Sequence, residues 1–265
     1  MVTSMRFGVS LPNDGDPREF VRLAVDLERA GWDGFFLWDH VQISAEMRPN
    51  VIDPWTVLGA IATATERIAL GTMVTPVPRR RPWKLAREIT TLDHLSGGRV
   101  ILGVGLGWPP DDEFGAFGET TSSREHAAML DEALPLLDSF LRGERVDHDG
   151  EHYRVHAHLA PAALQTPRPP IWVGTHLDNR RGIERARRWD GITPQAWPGM
   201  TPDEVAALVV TLDRGPTYDI VVGIGPDAPV AEFAAAGATW GIAGMLDAQE
   251  ALDQVRARLL AGPPR

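Results

Sequence analysis

A histidine that follows an apolar segment is the residue of this sequence best suited to proton chemistry. The segment from Gly34 to Trp38 is typical of a buried strand, and it is followed by Asp39 and His40. An imidazole titrates near neutral pH, so His40 at a strand end could donate, accept or shuttle a proton. The alternative is a histidine that fixes a loop through hydrogen bonds. We treat His40 as a candidate catalytic residue.

A glycine-rich segment, GVGLGW, runs from Gly103 to Trp108. Gly105 and Gly107 would let the backbone approach a planar ring or a phosphate closely. The spacing is G-x-G-x-G, and Pro109-Pro110 follows where a dinucleotide-binding fingerprint would need a helix. The segment therefore predicts a close backbone approach but not a dinucleotide site.

Two groups of arginines could bind an anion. Gly174-Thr175 ends an apolar segment and precedes a basic helix with Arg180 and Arg181, and backbone N–H groups at a helix start bind anions readily. The alternative is a surface helix with solvated arginines. The run Arg79–Arg81 could also reach an anionic group, although a charge run on a loop is usually solvated.

Histidines also cluster further along the chain. His148, His152, His156 and His158 are close in sequence, and imidazoles at alternating positions can bind zinc. A glycine turn separates the first two, the last two alternate as on a strand, and no carboxylates have the spacing of a metal triad. We expect a surface hairpin and no metal site.

The elements that would position these residues are clearest between Glu66 and Trp108. Ile68 to Val74 is short, apolar and followed by prolines, as in a buried strand. Pro82 suits the first position of a helix, and Leu85, Ile89, Leu92 and Leu95 recur on one face of it. Ser96-Gly97-Gly98 ends that helix, and a second buried strand runs from Val100 to Gly105. This is a βαβ unit with parallel strands.

The rest of the chain repeats this alternation. Strands are predicted at Arg6–Leu11, Gly34–Trp38, Ile171–Gly174, Gly191–Pro194, Asp219–Ile224 and Thr239–Met245, with helices between most of them and a final helix capped by Asp247. A hairpin insertion is predicted near residues 146–155. Eight strands that are mostly followed by helices predict an α/β fold, a (β/α)8 TIM barrel that occupies residues 1–265 as one domain.

Composition narrows the function. The chain has 265 residues, no cysteine and a formal charge of −10. Thiol chemistry and cysteine-ligated metals are excluded, and the negative charge argues against nucleic acid as a partner. No basic leader and no apolar run of membrane-spanning length is apparent, so we expect a cytoplasmic protein without a membrane partner.

The order of several motifs resembles the bacterial luciferase-like superfamily. It is carried by Trp38-Asp39-His40, Asp53-Pro54-Trp55, the LDHLSGGR and GVGLGW segments, PIWVG at Pro170 and Trp189-Asp190-Gly191. Within the superfamily, the Trp-Asp-His ending is more similar to enzymes that use the deazaflavin coenzyme F420 than to the FMN monooxygenases.

The resemblance implies a site for the ring of the cofactor. In relatives, the histidine at the position of His40 lies beside the reactive centre of the tricyclic ring, and we assign Trp38 and Asp39 to cofactor contacts with it. Relatives also carry a bulge at the end of the third strand, often with a non-proline cis peptide. Here the bulge corresponds to Thr72, Met73 and Val74, with Met73–Val74 as the candidate peptide.

The remaining contacts follow from the same resemblance. Relatives bind the cofactor phosphate at the strand end that corresponds to Gly174 and Thr175, and we add Arg180 and Arg181 to that site. F420 carries an anionic tail beyond its phosphate, which the local arginines would favour. In F420-dependent glucose-6-phosphate dehydrogenase a glutamate that takes part in proton transfer follows the last glycine of the fourth strand. Trp108 stands at that position here.

The predicted function is hydride transfer between F420 and a small, apolar substrate, because the Trp108 indole would make the pocket apolar. A carboxylate for proton transfer could still come from Asp111, Asp112 or Glu113 in the next loop. The alternatives are an FMN-dependent monooxygenase that uses reduced flavin and O2, and a non-catalytic flavin-binding protein. A metal-dependent barrel hydrolase lacks a convincing ligand set. Relatives often dimerise, so a homodimer is possible.

Overall fold

The structure is a computed structural model that describes residues 5–43, 50–195, 199–244 and 252–264. The strands in these ranges are β1 (Arg6–Leu11), β2 (Gly34–Leu37), β3 (Ala69–Pro76), β4 (Val100–Gly105), β5 (Arg145–Asp149), β6 (Arg154–His158), β7 (Ile171–Thr175), β8 (Gly191–Pro194), β9 (Asp219–Gly223) and β10 (Trp240–Ala243).

Eight of these strands close a parallel barrel. Their order around the barrel is β1, β2, β3, β4, β7, β8, β9 and β10, and β10 pairs with β1 through registers such as Arg6 with Trp240. Parallel neighbours need a crossover connection, and most of the connections contain a helix. The predicted (β/α)8 barrel is confirmed.

The helices lie outside the barrel and in its loops. They are α1 (Pro17–Ala30), α2 (Pro54–Ala64), α3 (Pro82–Ser96), α4 (Pro110–Glu113), α5 (Ser123–Leu141), α6 (Arg180–Ala186), α7 (Pro202–Leu212), α8 (Val230–Ala236) and α9 (Leu252–Leu259).

The central βαβ unit forms as the sequence predicts. Pro82 begins α3, and Gly97 ends it with a φ of 70°, in the left-handed region that favours glycine. Leu85, Ile89 and Leu92 are buried against the barrel. Leu95 was expected on the same face but is 50% exposed, because in the last turn of α3 the buried face is formed by Leu92, Asp93 and Ser96.

The predicted hairpin insertion is also present, as strands β5 and β6 outside the barrel. Glu132 of α5 holds its turn, since the carboxylate accepts hydrogen bonds from His148 Nε2 at 2.9 Å and from the backbone N–H groups of His152 and Tyr153. His156 lies between two aspartates of the hairpin, and His158 contacts a backbone carbonyl. The described residues contain no group of three or more potential metal ligands.

Aromatic side chains pack inside the barrel, in the half near the amino termini of the strands. The rings of Phe36, Trp172 and Trp240 are fully buried, with centroids 5.5 Å apart for Phe36 and Trp172 and 5.3 Å apart for Trp172 and Trp240. Trp172 is the second residue of β7, and Trp240 is the first residue of β10. A ligand would therefore enter from the opposite end, where the strands have their carboxyl termini.

Two predicted features reach outside the described residues. Met245, the last residue predicted for the eighth strand, and Asp247, the predicted cap of the final helix, belong to residues 245–251. No helix in the described ranges is long and apolar enough to cross a membrane.

Gly71 tests the packing of β3 against β4. A Cβ atom at this position would overlap the backbone carbonyl oxygen of Ile101, which cannot move without breaking the sheet. We expect Gly71→Ala to lower the free energy of unfolding in urea by roughly 3 kcal/mol or more. Gly59→Ala in α2 is the control, because a Cβ there meets nothing within 4 Å and an alanine stabilises a helix by up to about 1 kcal/mol. An equal free energy of unfolding for the two variants would contradict the close packing of β3 on β4 at Gly71.

Candidate active site

His40 follows β2 at the carboxyl end of the barrel, and its backbone is fixed by a buried asparagine. Asn13, which follows β1, donates from Nδ2 to the carbonyl oxygen of His40 at 2.9 Å and to that of Ile52 at 2.6 Å. The N–H of His40 donates back to Asn13 Oδ1 at 3.3 Å. Because the Asn13 side chain has no solvent exposure, the imidazole projects from a rigid backbone.

A glutamate from the loop after β4 lies beside the His40 ring. Glu113 Oε1 is 2.6 Å from His40 Nδ1, and the side chain of Glu113 is fully buried. Glu113 ends the short helix α4, where its N–H donates to the carbonyl of Pro109. Of the three acidic residues that the sequence offers here, the structure brings only Glu113 to His40, since Asp111 is exposed and Asp112 contacts Gln42.

Asp39 is the centre of a buried ion cluster. Its carboxylate accepts from Arg79 Nη2 at 2.7 Å, from Arg80 Nη2 at 2.8 Å, from Thr75 Oγ1 at 2.7 Å and from Trp55 Nε1 at 3.1 Å. Burial acts to raise the pKa of Asp39, but the two guanidinium groups and the hydrogen bonds hold that pKa below its ordinary value. Asp39 is therefore a buried carboxylate that is ionised at neutral pH.

The environment of the arginine run differs from the prediction. The run was expected to be solvated or to reach an anionic ligand, yet the side chains of Arg79 and Arg80 are only 9% and 17% exposed and are paired with carboxylates. The carboxylate of Asp39 is occupied by four side chains, and a contact of Asp39 with a cofactor stays a prediction.

The bulge predicted after the third strand is present. The register of β3 against β4 shifts between Thr72 and Thr75, and the Met73–Val74 peptide is cis, as predicted. The hydroxyl groups of Thr72 and Thr75 are 2.8 Å apart, and that of Thr72 also donates to the Gly103 carbonyl. Thr72 is fully buried and its side chain supports the bulge, while its contact with a cofactor stays a prediction.

The glycines of β4 and β7 make room for Val74. A Cβ at Gly105 would lie 2.6 Å from Val74 Cγ2, and one at Gly174 would lie 3.1 Å from Val74 Cγ1. Met73 packs on the aromatic cluster of the barrel. Contacts of Met73, Val74, Gly105 and Gly174 with a cofactor stay predictions, since the close approach seen here is between protein groups.

Gly107 and Trp108 behave differently from expectation. Gly107 has a φ of 93°, and a Cβ there would lie 2.6 Å from the Phe114 ring, so glycine is needed for protein packing. The Trp108 side chain is 74% exposed and does not make the pocket apolar as predicted. Its neighbour in sequence, cis-Pro109, leads into α4, which delivers Glu113 to the position beside His40.

The predicted anion site at the end of β7 has two exposed arginines. Arg180 and Arg181 begin α6, are exposed and have no ion pair within the described part of the chain. Thr175 is buried, and α6 packs closely on it, since a Cβ at Gly182 would overlap its hydroxyl oxygen. The sequence therefore placed the unpaired arginines correctly at a strand end, and their role in binding stays a prediction.

The His40 imidazole is neutral at physiological pH. Burial, followed by the charge of Arg79, lowers its pKa from 6.5 to about 4, against the opposing charge of Asp39. In the neutral form Nδ1–H donates to Glu113 Oε1, which leaves the Nε2 lone pair free, and no described residue donates a hydrogen bond to it. The folded chain binds fewer protons at His40 than the unfolded chain between pH 6.5 and about 4, so acidification through that window destabilises the fold.

The sequence matches a known family over most of its length. A family model described as luciferase-like monooxygenase matches residues 1–241. The chain belongs to the luciferase-like monooxygenase family. Membership confirms the resemblance that the motifs around His40 predict.

Curated relatives of this luciferase-like chain include F420-dependent glucose-6-phosphate dehydrogenases. The protein of Microbacterium testaceum is 35% identical over 160 residues, which cover 58% of this chain and 46% of the relative. That of Nocardia farcinica is 38% identical over 140 residues, which cover 52% and 42%. The matched part thus spans less than half the length of these relatives.

Solved structures show the same luciferase-like barrel. An F420-dependent secondary alcohol dehydrogenase in complex with an F420–acetone adduct superposes with a TM-score of 0.78 at 16% identity, over 96% of both chains. The monooxygenase RslO1 of Streptomyces bottropensis superposes with a TM-score of 0.77 at 21% identity, over 97% of this chain and 98% of RslO1. At these identities the similarity establishes the fold.

Removal of Asp39 should destabilise the fold measurably. Asp39→Ala leaves Arg79 and Arg80 without their shared partner, and removal of one member of a buried ion cluster costs about 3–5 kcal/mol. We expect a loss of this size in the free energy of unfolding, measured in urea at neutral pH. Glu88→Gln is the control, since it removes the more exposed partner of Arg80 and should cost less than about 1 kcal/mol. A loss below about 1 kcal/mol for Asp39→Ala would contradict the structural role of the cluster.

Proposed function

We propose that the protein is an F420-dependent oxidoreductase that interconverts a small, uncharged alcohol and its carbonyl compound, with His40 as the group that exchanges the hydroxyl proton. The observation that carries this proposal is the neutral His40 imidazole, whose Nδ1 is bound by buried Glu113 and whose Nε2 has no partner among the described residues. A fixed tautomer with one free nitrogen is the form in which histidine acts as a general base.

The residues fit a deazaflavin at the carboxyl end of the barrel. Met73 and Val74 would support the ring at the bulge of β3, Trp38 would contact it beside His40, and the unpaired Arg180 and Arg181 would hold its phosphate or its anionic tail. When bound, F420 supplies the hydride acceptor or donor. The protein holds the substrate hydroxyl at His40 Nε2 and keeps Nδ1 oriented through Glu113, which is a positioning residue.

Support for F420 over FMN comes from two sources. The curated relatives that match are named F420-dependent enzymes, and the similar solved structures include an F420-dependent alcohol dehydrogenase. Fewer arginines are available to bind the anionic tail of F420 than the sequence predicts, because Arg79 and Arg80 are neutralised by Asp39 and Glu113. FMN is the alternative, since the monooxygenase RslO1 has the same fold.

The charges around His40 favour an uncharged substrate. Its arginine neighbours, Arg79 and Arg80, are paired, so they offer no free cation to a sugar phosphate. We therefore expect uncharged alcohols or ketones to be turned over in preference to glucose 6-phosphate.

His40→Gln should reduce kcat by roughly 10²-fold or more in the oxidation of an alcohol by F420, because the proton acceptor is lost. In the unsubstituted protein, kcat/KM for alcohol oxidation should fall only as pH approaches about 4, the value at which His40 becomes protonated. His94→Gln is the control, because His94 lies in the last turn of α3, at the opposite end of the barrel, and contacts the Ala162 carbonyl. Unchanged turnover in folded His40→Gln would leave His40 with the role of fixing a loop.

Binding titrations choose between the cofactors. We expect F420 to bind more tightly than FMN at low salt and to lose affinity as salt is raised, because an anionic tail pairs with exposed arginines. The double variant Arg180→Gln, Arg181→Gln should weaken F420 binding about 10-fold or more at low salt, whereas Arg29→Gln on α1, an exposed arginine at the opposite end of the barrel, should not. Tight FMN binding with weak, salt-insensitive F420 binding would return the protein to the FMN monooxygenases.

A further inference from the structure

Arg79 bridges the two buried carboxylates on either side of His40. Its Nη1 pairs with Glu113 Oε2, while its Nη2 donates to Asp39 Oδ1 at 2.7 Å and to the Asp39 carbonyl at 2.9 Å. The other oxygen of Glu113, Oε1, contacts His40 Nδ1 at 2.6 Å. Among the described hydrogen bonds of Arg79, the one to Glu113 leads to the imidazole of His40.

The position of Arg79 opposes a proton on His40. Arg79 pairs with Glu113, the carboxylate that contacts the imidazole, whereas Arg80 pairs with Asp39 and with Glu88. The side chains of Arg79 and Glu113 are 9% and 0% exposed, so water screens their charges weakly. A guanidinium this close to a buried imidazole favours the neutral form of that imidazole.

We propose that Arg79 is a positioning residue that keeps the His40–Glu113 pair in its neutral imidazole and carboxylate form, so that His40 Nε2 is free to accept a proton. The role of His40 Nε2 as a proton acceptor in catalysis rests on the proposed function, whereas the effect of Arg79 on the protonation of His40 does not. The carboxylate of Glu113 alone would attract a proton to His40, and Arg79 offsets this attraction by sharing the charge of Glu113.

Other charged groups near His40 do not replace Arg79. Arg80 binds Asp39 and Glu88 but not Glu113. Asp112 of α4 contacts Gln42, Glu119 acts electrostatically on Arg79, and Asp53 acts on Arg80. From β1, the neighbour of His40 is the neutral Asn13. Burial first and Arg79 second lower the pKa of His40, with Asp39 as the opposing charge.

The test is an NMR pH titration of the His40 imidazole in the full chain, with its signal assigned by loss in His40→Gln. Arg79→Met removes the charge with little change in length. We expect the pKa of His40 to rise by roughly 1–3 units, because the unshared charge of Glu113 then favours the imidazolium. If alcohol oxidation is measurable, the acidic limit of kcat/KM should rise with it.

Two matched variants distinguish the effect of the Arg79 charge beside Glu113 from the effect of losing any arginine bound to Asp39. Arg79→Lys keeps a positive charge beside Glu113, so the pKa of His40 should stay near that of the unsubstituted protein. Arg80→Met removes an arginine from the same Asp39 without touching Glu113, so it should raise the pKa of His40 by clearly less than Arg79→Met. If Arg79→Met does not fold, the proposal is decided by Arg79→Lys and Arg80→Met.

The proposal is overturned if Arg79→Met leaves the pKa of His40 unchanged. It is also overturned if Arg79→Lys raises that pKa above the value in Arg80→Met. The titration needs neither cofactor nor substrate, so absence of F420-dependent turnover would reject the proposed function and leave this result standing.

Discussion

The site depends on a buried cluster of four charges, in which Asp39 and Glu113 are neutralised by Arg79 and Arg80. The cluster joins the segments that follow β2, β3 and β4, and so fixes three neighbouring strand ends to one another. Buried ion pairs contribute little net stability compared with apolar packing, because the charges lose their hydration. What this cluster provides is a fixed arrangement of charge around His40.

The barrel makes that arrangement possible at one end only. Phe36, Trp172 and Trp240 pack ring to ring in the half near the amino termini of the strands. At the other end the strand termini carry polar groups, among them Asn13 after β1 and His40 after β2. The bulge between Thr72 and Thr75 is tied to the same cluster, because Thr75 donates to Asp39.

The sequence predicted the barrel and the strand end at His40 because these follow from local periodicity, proline and glycine positions, and motif order. It did not single out Glu113, since three successive acidic residues look equally solvated until the turn of α4 buries one of them. It also misjudged Arg79 and Arg80, whose partner Asp39 is about forty residues distant in sequence. Side-chain pairing across strand ends depends on the register of the closed barrel, which local patterns do not encode.

The central claim is that this cluster holds His40 neutral with a free Nε2, and the nitrogen chemical shifts of the imidazole measure this directly. In the 15N-labelled protein at about pH 7, Nδ1 should have the shift of a protonated nitrogen and Nε2 that of an unprotonated one. Both should stay so as the pH is lowered to about 5, well above the pKa of about 4. Protonation of both nitrogens at pH 7, or the opposite tautomer with Nε2–H, would contradict the account.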